Sequence, residues 1–304
     1  MSIRRVLLNA WLRRVEKPRM ARASNPDVLR RNFELQARLL FRAPRGTHQS
    51  WDALGTVDTL QVQPRGFSGN RVLFYVHGGG FVFGSPRTHA AMAAQLASRI
   101  SARAVLPQYR LAPEAPFPAA PDDIMTAWRG LMAQGVDPKN VVLGGDSAGG
   151  ALALGLLSQL CAQNVALPGT AFALSPLTDL DHSGDSFRSN AQGDVLLPAQ
   201  RAGEMAQMFL AGHRCDDPRC SPLNGTFQGA PPVWLTVGDT EILRDDARRM
   251  ADVLRRDGVR TALVERHDLP HVWPIMHNIL PEARETLDAL AVWIRQEQGW
   301  PAEN

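Results

Sequence analysis

Gly145-Asp146-Ser147-Ala148-Gly149 sets a serine between two glycines, with Val141-Val142-Leu143 before it and the apolar run Ala151 to Leu160 after it. Such a segment folds as strand, sharp turn and helix. A serine on that turn has an exposed hydroxyl, and the glycines remove side chains that would collide with strand and helix. The helix that follows offers unpaired amides and positive potential where an oxyanion can form. Ser147 is therefore the candidate nucleophile, and the amide of Ala148 a candidate oxyanion donor. A second segment, His77-Gly78-Gly79-Gly80, closes the strand-like run Arg71 to Val76. Consecutive glycines let the main chain aim the amides of Gly79 and Gly80 at one point, so both join the candidate oxyanion hole. His77 reads as a residue that ties this loop down by hydrogen bonding.

Four runs in one consistent order, HGGGFVFGS (77–85), YRLAPEAPFPAA (109–120), GDSAGG (145–150) and SPLTDL (175–180), resemble the bacterial hormone-sensitive-lipase-like esterases of the α/β-hydrolase superfamily. The resemblance spans roughly residues 55 to 300. It implies an α/β fold with a central, mostly parallel eight-stranded sheet flanked by helices, a helical cap over the site, and hydrolysis of carboxylic esters through an acyl-enzyme. Pairing of the last strand between subunits in some relatives implies a homodimer.

The chain order of α/β-hydrolases is nucleophile, acid, histidine. His271 is the candidate base, because it follows the last strand in the loop Asp268 to Trp273, at the edge of the sheet where open α/β folds bind ligands. His267 and His277 fall at the strand end and the approach to the final helix. The segment Val237 to Asp246 offers several carboxylates. Relatives show Asp-Pro-Leu-x-Asp here; aligning Leu243-Arg244-Asp245 with its end places Glu241 at the acid position, with Asp239 as the alternative. Asp245 and Asp246 read as starting the next helix. Asp146, Arg110 and Glu114 read as scaffold.

These groups need elements to position them. Ile3, Val6, Leu7, Ala10, Trp11 and Val15 recur at helical spacing in the first 17 residues, with Arg4, Arg5, Arg13 and Arg14 on the remaining face. Asn25-Pro26-Asp27 starts a second helix carrying Leu29, Phe33, Ala37, Leu40 and Phe41. Residues 1–45 are expected to form an N-terminal helical cap segment, with a membrane-surface helix as the alternative reading, and residues 46–304 the catalytic domain. Strands are expected at 56–62, 71–76, 102–108, 141–144, 170–174, 233–237 and 262–266. Helices alternate with them at 88–100, 121–133, 148–162, 243–257 and 281–297, a pattern that implies a parallel sheet. A polar stretch from Asp181 interrupts the alternation and, with a helix at 198–210, reads as a second cap insertion around 181–215.

A chain of 304 residues with 44% hydrophobic content can bury a large core. Its net charge of +3 is small for this length, and its basic residues, nearly all arginine, read as interleaved with acids along the chain, which argues against a nucleic-acid partner and confines any anionic-surface affinity to the N-terminus. Cys161, Cys215 and Cys220 leave at least one thiol unpaired and show no ligand spacing, so neither a disulfide framework nor a metal is expected. No cofactor is expected either. With no secretory signal or spanning run, the expectation is a cytoplasmic protein without stable membrane insertion. An acyl pocket drawn from Trp11, Phe33, Phe41, Phe81, Phe83, Leu196, Met205, Met208 and Phe209 would suit short- to medium-chain esters. A lactone or amide hydrolase, or a non-catalytic binding protein on this fold, are the competing readings.

Overall fold

The computed structural model describes residues 2–23 and 25–301. The chain opens with α1 (Ile3–Trp11), a π-helical turn (Leu12–Glu16), α2 (Lys17–Arg22) and α3 (Pro26–Leu40). The Asn25 side chain caps α3 by accepting the Asp27 amide at 2.8 Å. There follow β1 (His48–Leu54), β2 (Val57–Gln63), β3 (Val72–Val76), α4 (Pro86–Arg99), β4 (Arg103–Pro107), α5 (Ala119–Ala133), β5 (Val141–Asp146) and α6 (Ser147–Ala162). The chain continues through β6 (Thr170–Leu174), α7 (Ser186–Ser189), α8 (Ala199–Leu210), β7 (Val233–Gly238), α9 (Arg244–Arg256), β8 (Thr261–Arg266) and α10 (Pro281–Gln298).

The eight strands form one sheet in the order β1-β2-β4-β3-β5-β6-β7-β8. Only β1 with β2 and β2 with β4 run antiparallel; every other pair is parallel. Alternate side chains of β3 feed two cores. Phe74 and Val76 pack on one face with Trp128 of α5, Leu152 of α6 and Met250 of α9. Leu73 and Tyr75 pack on the other with Leu96 of α4 and Leu290 of α10. Burial on both faces explains why β3 to β7 read as continuous apolar runs.

Two features depart from the sequence reading. The strand expected at 56–62 as a sheet edge is instead covered by β1, whose residues other than Leu54 are exposed, so that no apolar alternation marks them in the sequence. The first helix also docks by its other side. Arg5 donates to the His267 carbonyl at 3.2 Å and pairs with Asp268 at 3.0 Å, while Asn9 donates to the Asp268 carbonyl at 2.9 Å. Leu12 is buried beside them, whereas Ile3 and Leu7 stay 72% and 64% exposed. Polar tethers, not the apolar stripe, choose the docked face.

Arg30 ties α3 to the sheet side of the molecule, donating to the carbonyls of Val82 and Ala112 at 2.9 Å each and pairing with Glu114 at 2.6 Å. Lys17 bridges α2 to the segment after α7 through the carbonyls of Ala191 and Asp194, at 2.8 and 2.6 Å. The two helical segments are thereby fastened to each other as well as to the sheet.

Candidate active site

β5 delivers Ser147 directly onto the first position of α6, with the left-handed φ of +52° that a strained elbow requires. Such a conformation costs a non-glycine residue on the order of 1–3 kcal/mol, so the surroundings must hold it. They do so by close approach: a Cβ on Gly149 would lie 2.2 Å from the Val76 carbonyl oxygen, which only glycine permits. The Ser147 carbonyl accepts the Leu177 amide at 3.1 Å.

The glycine loop follows β3. Gly79 has φ +124°, and a Cβ there would lie 2.0 Å from the Phe83 carbonyl oxygen. Its own carbonyl accepts the amides of Val82 and Phe83, both at 3.0 Å, which fixes the turn. Among the described residues the amides of Gly79 and Gly80 have no hydrogen-bond partner, and that of Ala148 lies in the first turn of α6, where no intrahelical acceptor exists.

Behind elbow and loop lies a buried polar cluster centred on Asp146. Its carboxylate accepts the Tyr75 hydroxyl at 2.7 Å and the Gly78 amide at 3.0 Å, and meets His89 Nε2 at 3.3 Å. Burial works against that charge, but His89 and Tyr75 overcome it and hold the carboxyl below its usual range. His77 lies stacked between Tyr109 and His89, its Nδ1 2.9 Å from the Gly78 carbonyl. Burial, aided by His89, lowers the His77 pKa to about 3, so this imidazole is neutral. Asp146 thus joins the nucleophile strand to the glycine loop. The sequence marked Asp146 and His77 as scaffold, but Tyr75 and His89, from β3 and α4, carry no motif signal.

The acid loop follows β7 and the histidine loop follows β8. Glu241 Oε2 lies 2.6 Å from His271 Nδ1, and both side chains are buried, at 1% and 6% exposure. Oε1 of Glu241 accepts the Gly238 amide at 2.6 Å and the Ser175 hydroxyl at 2.7 Å, leaving neither oxygen idle. Ser175 Oγ in turn accepts the Val272 amide at 3.2 Å, tying the acid to the histidine loop. Burial disfavours the His271 imidazolium, yet the Glu241 carboxylate outweighs it and raises the pKa above the ordinary 6.5. Asp239 is engaged elsewhere, against His267 Nδ1 at 2.6 Å and the Asp268 amide at 2.8 Å. Ser175 falls within the SPLTDL run, but a motif shows chain order and not hydrogen bonding, so its part in holding Glu241 is visible only in the structure.

Ser147, His271, Gly79 and Gly80 all line one cavity of about 340 Å³. Its wall includes Leu8 and Trp11 of α1, Leu29 and Phe33 of α3, Leu196 just before α8, and Met205 and Ala206 of α8. Phe41, Phe81 and Phe83 line it too. Met208 and Phe209, expected in the pocket, are not in its wall. Phe209 turns away to stack on Phe81, ring centroids 3.9 Å apart, and packs in the core.

Residues 73–275 match the family described as the α/β hydrolase fold, to which the chain belongs. Within that class it is a member of the bacterial hormone-sensitive-lipase-like esterases. It superimposes on a crystal structure of an esterase from the bacterial hormone-sensitive lipase family with a TM-score of 0.92, at 33% identity over 98% of this chain and 99% of the other. An acetyl-hydrolase of Streptomyces hygroscopicus is 36% identical over 75% of this chain and 77% of its own length. An ethyl acetate hydrolase of Pseudomonas putida is 34% identical over 71% and 70%.

Proposed function

We propose that the protein is a serine carboxylesterase acting on short- to medium-chain esters. Ser147 Oγ attacks the ester carbonyl as His271 takes its proton, and Glu241 holds the imidazole and stabilises its cationic form. The amides of Gly79, Gly80 and Ala148 receive the oxyanion. His271 returns the proton to the departing alcohol, leaving the acyl group on Ser147. Water then attacks the acyl-enzyme with His271 again as base, releasing the acid and restoring the serine. The observation that carries this reading is the 2.6 Å contact from Glu241 to a His271 that faces the same cavity as Ser147 and the glycine loop.

The cavity supports the chain-length preference. Its volume of about 340 Å³ is at the small end of the ~300–1,000 Å³ typical of ligand pockets, and its wall is mostly apolar. Residues 1–45 and the 181–215 insertion act as a roof that limits depth. Among p-nitrophenyl esters, kcat/KM is expected to peak at butyrate or hexanoate and to decline by laurate, with lactones and aryl anilides turned over far more slowly. A maximum on lactones or anilides would reassign the substrate class.

The charge state of His271 sets the pH dependence. It works as a base only when neutral, and Glu241 favours the protonated form, so a raised pKa moves the acid limb upward. The kcat/KM profile is expected to fall on acidification with a midpoint above 6.5, and Glu241→Gln should shift that midpoint down. A limb well below 6.5 in the parent enzyme would contradict the pairing.

A further inference from the structure

Nine of the twelve large hydrophobic side chains exposed among the described residues lie between Ile3 and Leu40. Trp11 and Leu40 border the cavity, and single exposed apolar residues are ordinary on a protein surface, but the concentration of the other seven on one segment marks an interaction face. Ile3, Val6, Leu7 and Val15 recur along one side of α1 and the π-helical turn, and Val28, Leu35 and Leu39 along α3. The two stripes meet, because Val15 and Val28 line the same open recess between the helices.

That recess also holds Arg14, Arg19 and Arg22, of which Arg19 borders the catalytic cavity as well. Arg14 and Arg22 have no hydrogen-bond or ion-pair partner among the described residues, and Arg19 reaches Glu16 at 3.7 Å. Residues 1–45 contain 12 lysines and arginines against 3 carboxylates, a net charge of +9, which leaves −6 for the rest of a chain whose total is +3. Nine of those arginines are exposed, whereas Asp27 is the one exposed carboxylate among the described residues of the segment.

An apolar stripe set among unneutralised arginines complements a lipid surface with anionic headgroups. A second copy of the same face is a poor match, since it would bring two strongly positive segments together. We propose that the outer face of the N-terminal cap docks on anionic lipid bilayers. Headgroup phosphates occupy the recess of Arg14, Arg19 and Arg22, while Ile3, Val6, Leu7, Leu35 and Leu39 enter the headgroup region. The opposite sides of these helices roof the cavity through Leu8, Trp11 and Phe33, so docking places that roof against the bilayer. The binding proposed does not depend on the ester chemistry.

Co-sedimentation of the full-length protein with phosphatidylcholine vesicles, with and without phosphatidylglycerol, tests this. Binding is expected only where phosphatidylglycerol is present and should weaken as salt is raised. The double variant Arg14→Ala/Arg22→Ala should lower the partition coefficient roughly 10- to 30-fold, and Leu35→Ser/Leu39→Ser should lower it independently. None of these four residues lines the cavity, so hydrolysis of a water-soluble ester and the circular dichroism spectrum should not change and serve as folding controls. Absence of binding, equal binding to neutral vesicles, or an arginine variant that binds like the parent would overturn the proposal. So would a dimer in light scattering that Leu35→Ser/Leu39→Ser dissociates, because a second copy would then cover this face.

Discussion

Ser147→Ala is expected to lower kcat/KM for p-nitrophenyl butyrate by at least about a thousandfold, with the loss in kcat and not in KM. The variant removes the atom proposed to form the acyl-enzyme while leaving the rest of the cavity wall and the glycine loop unchanged. Alanine also keeps a Cβ at the same left-handed φ of +52°, so the elbow strain is nearly the same and the melting temperature should move little. Residual turnover would come from the oxyanion donors alone. Activity above about one thousandth of the parent would mean that another group attacks the ester.

The second large effect is expected at Glu241, read against Asp239. Glu241→Gln leaves a side chain of the same size but removes the charge that stabilises the His271 imidazolium. It also presents an amide that can set the imidazole in the wrong tautomer. A loss in kcat of roughly 10²- to 10⁴-fold is expected, by analogy with acid-to-amide changes in other triads. Asp239→Asn should cost less than about tenfold, since its carboxylate serves His267 and the Asp268 amide and touches His271 nowhere. Thermal denaturation separates a folding defect from a chemical one, because Glu241 also accepts the Gly238 amide and the Ser175 hydroxyl. A large loss at Asp239 with a small one at Glu241 would exchange their roles.

The two carboxylates illustrate what the sequence discloses. Aligning Leu243-Arg244-Asp245 singled out Glu241, and the alternation of apolar runs with amphipathic helices disclosed β3 to β8 within a few residues, since those strands are buried on both faces or pair with ones that are. Legibility fails where burial does not follow apolarity. β1 lies exposed at the sheet edge and has no pattern to read. On α1 the apolar stripe suggested one docked side, and Arg5 and Asn9 anchor the other, because hydrogen bonds and an ion pair to the loop after β8 are specific in a way a hydrophobic stripe is not. At the site, Ser147, His271 and the glycines announce themselves by motif. Tyr75, His89 and Ser175 do not, because their contribution is geometric and appears only when β3 and α4 meet at Asp146 and the segment after β6 meets Glu241.

The reading rests on one chemical identity, that the hydroxyl at position 147 is the group acylated by substrate. Labelling the active protein with a fluorophosphonate, followed by proteolysis and mass spectrometry, addresses it directly. One label per chain is expected, on the peptide carrying Gly145-Asp146-Ser147-Ala148-Gly149, with esterase activity lost in proportion. Label on a different residue, or full activity in a protein fully labelled at Ser147, would contradict it.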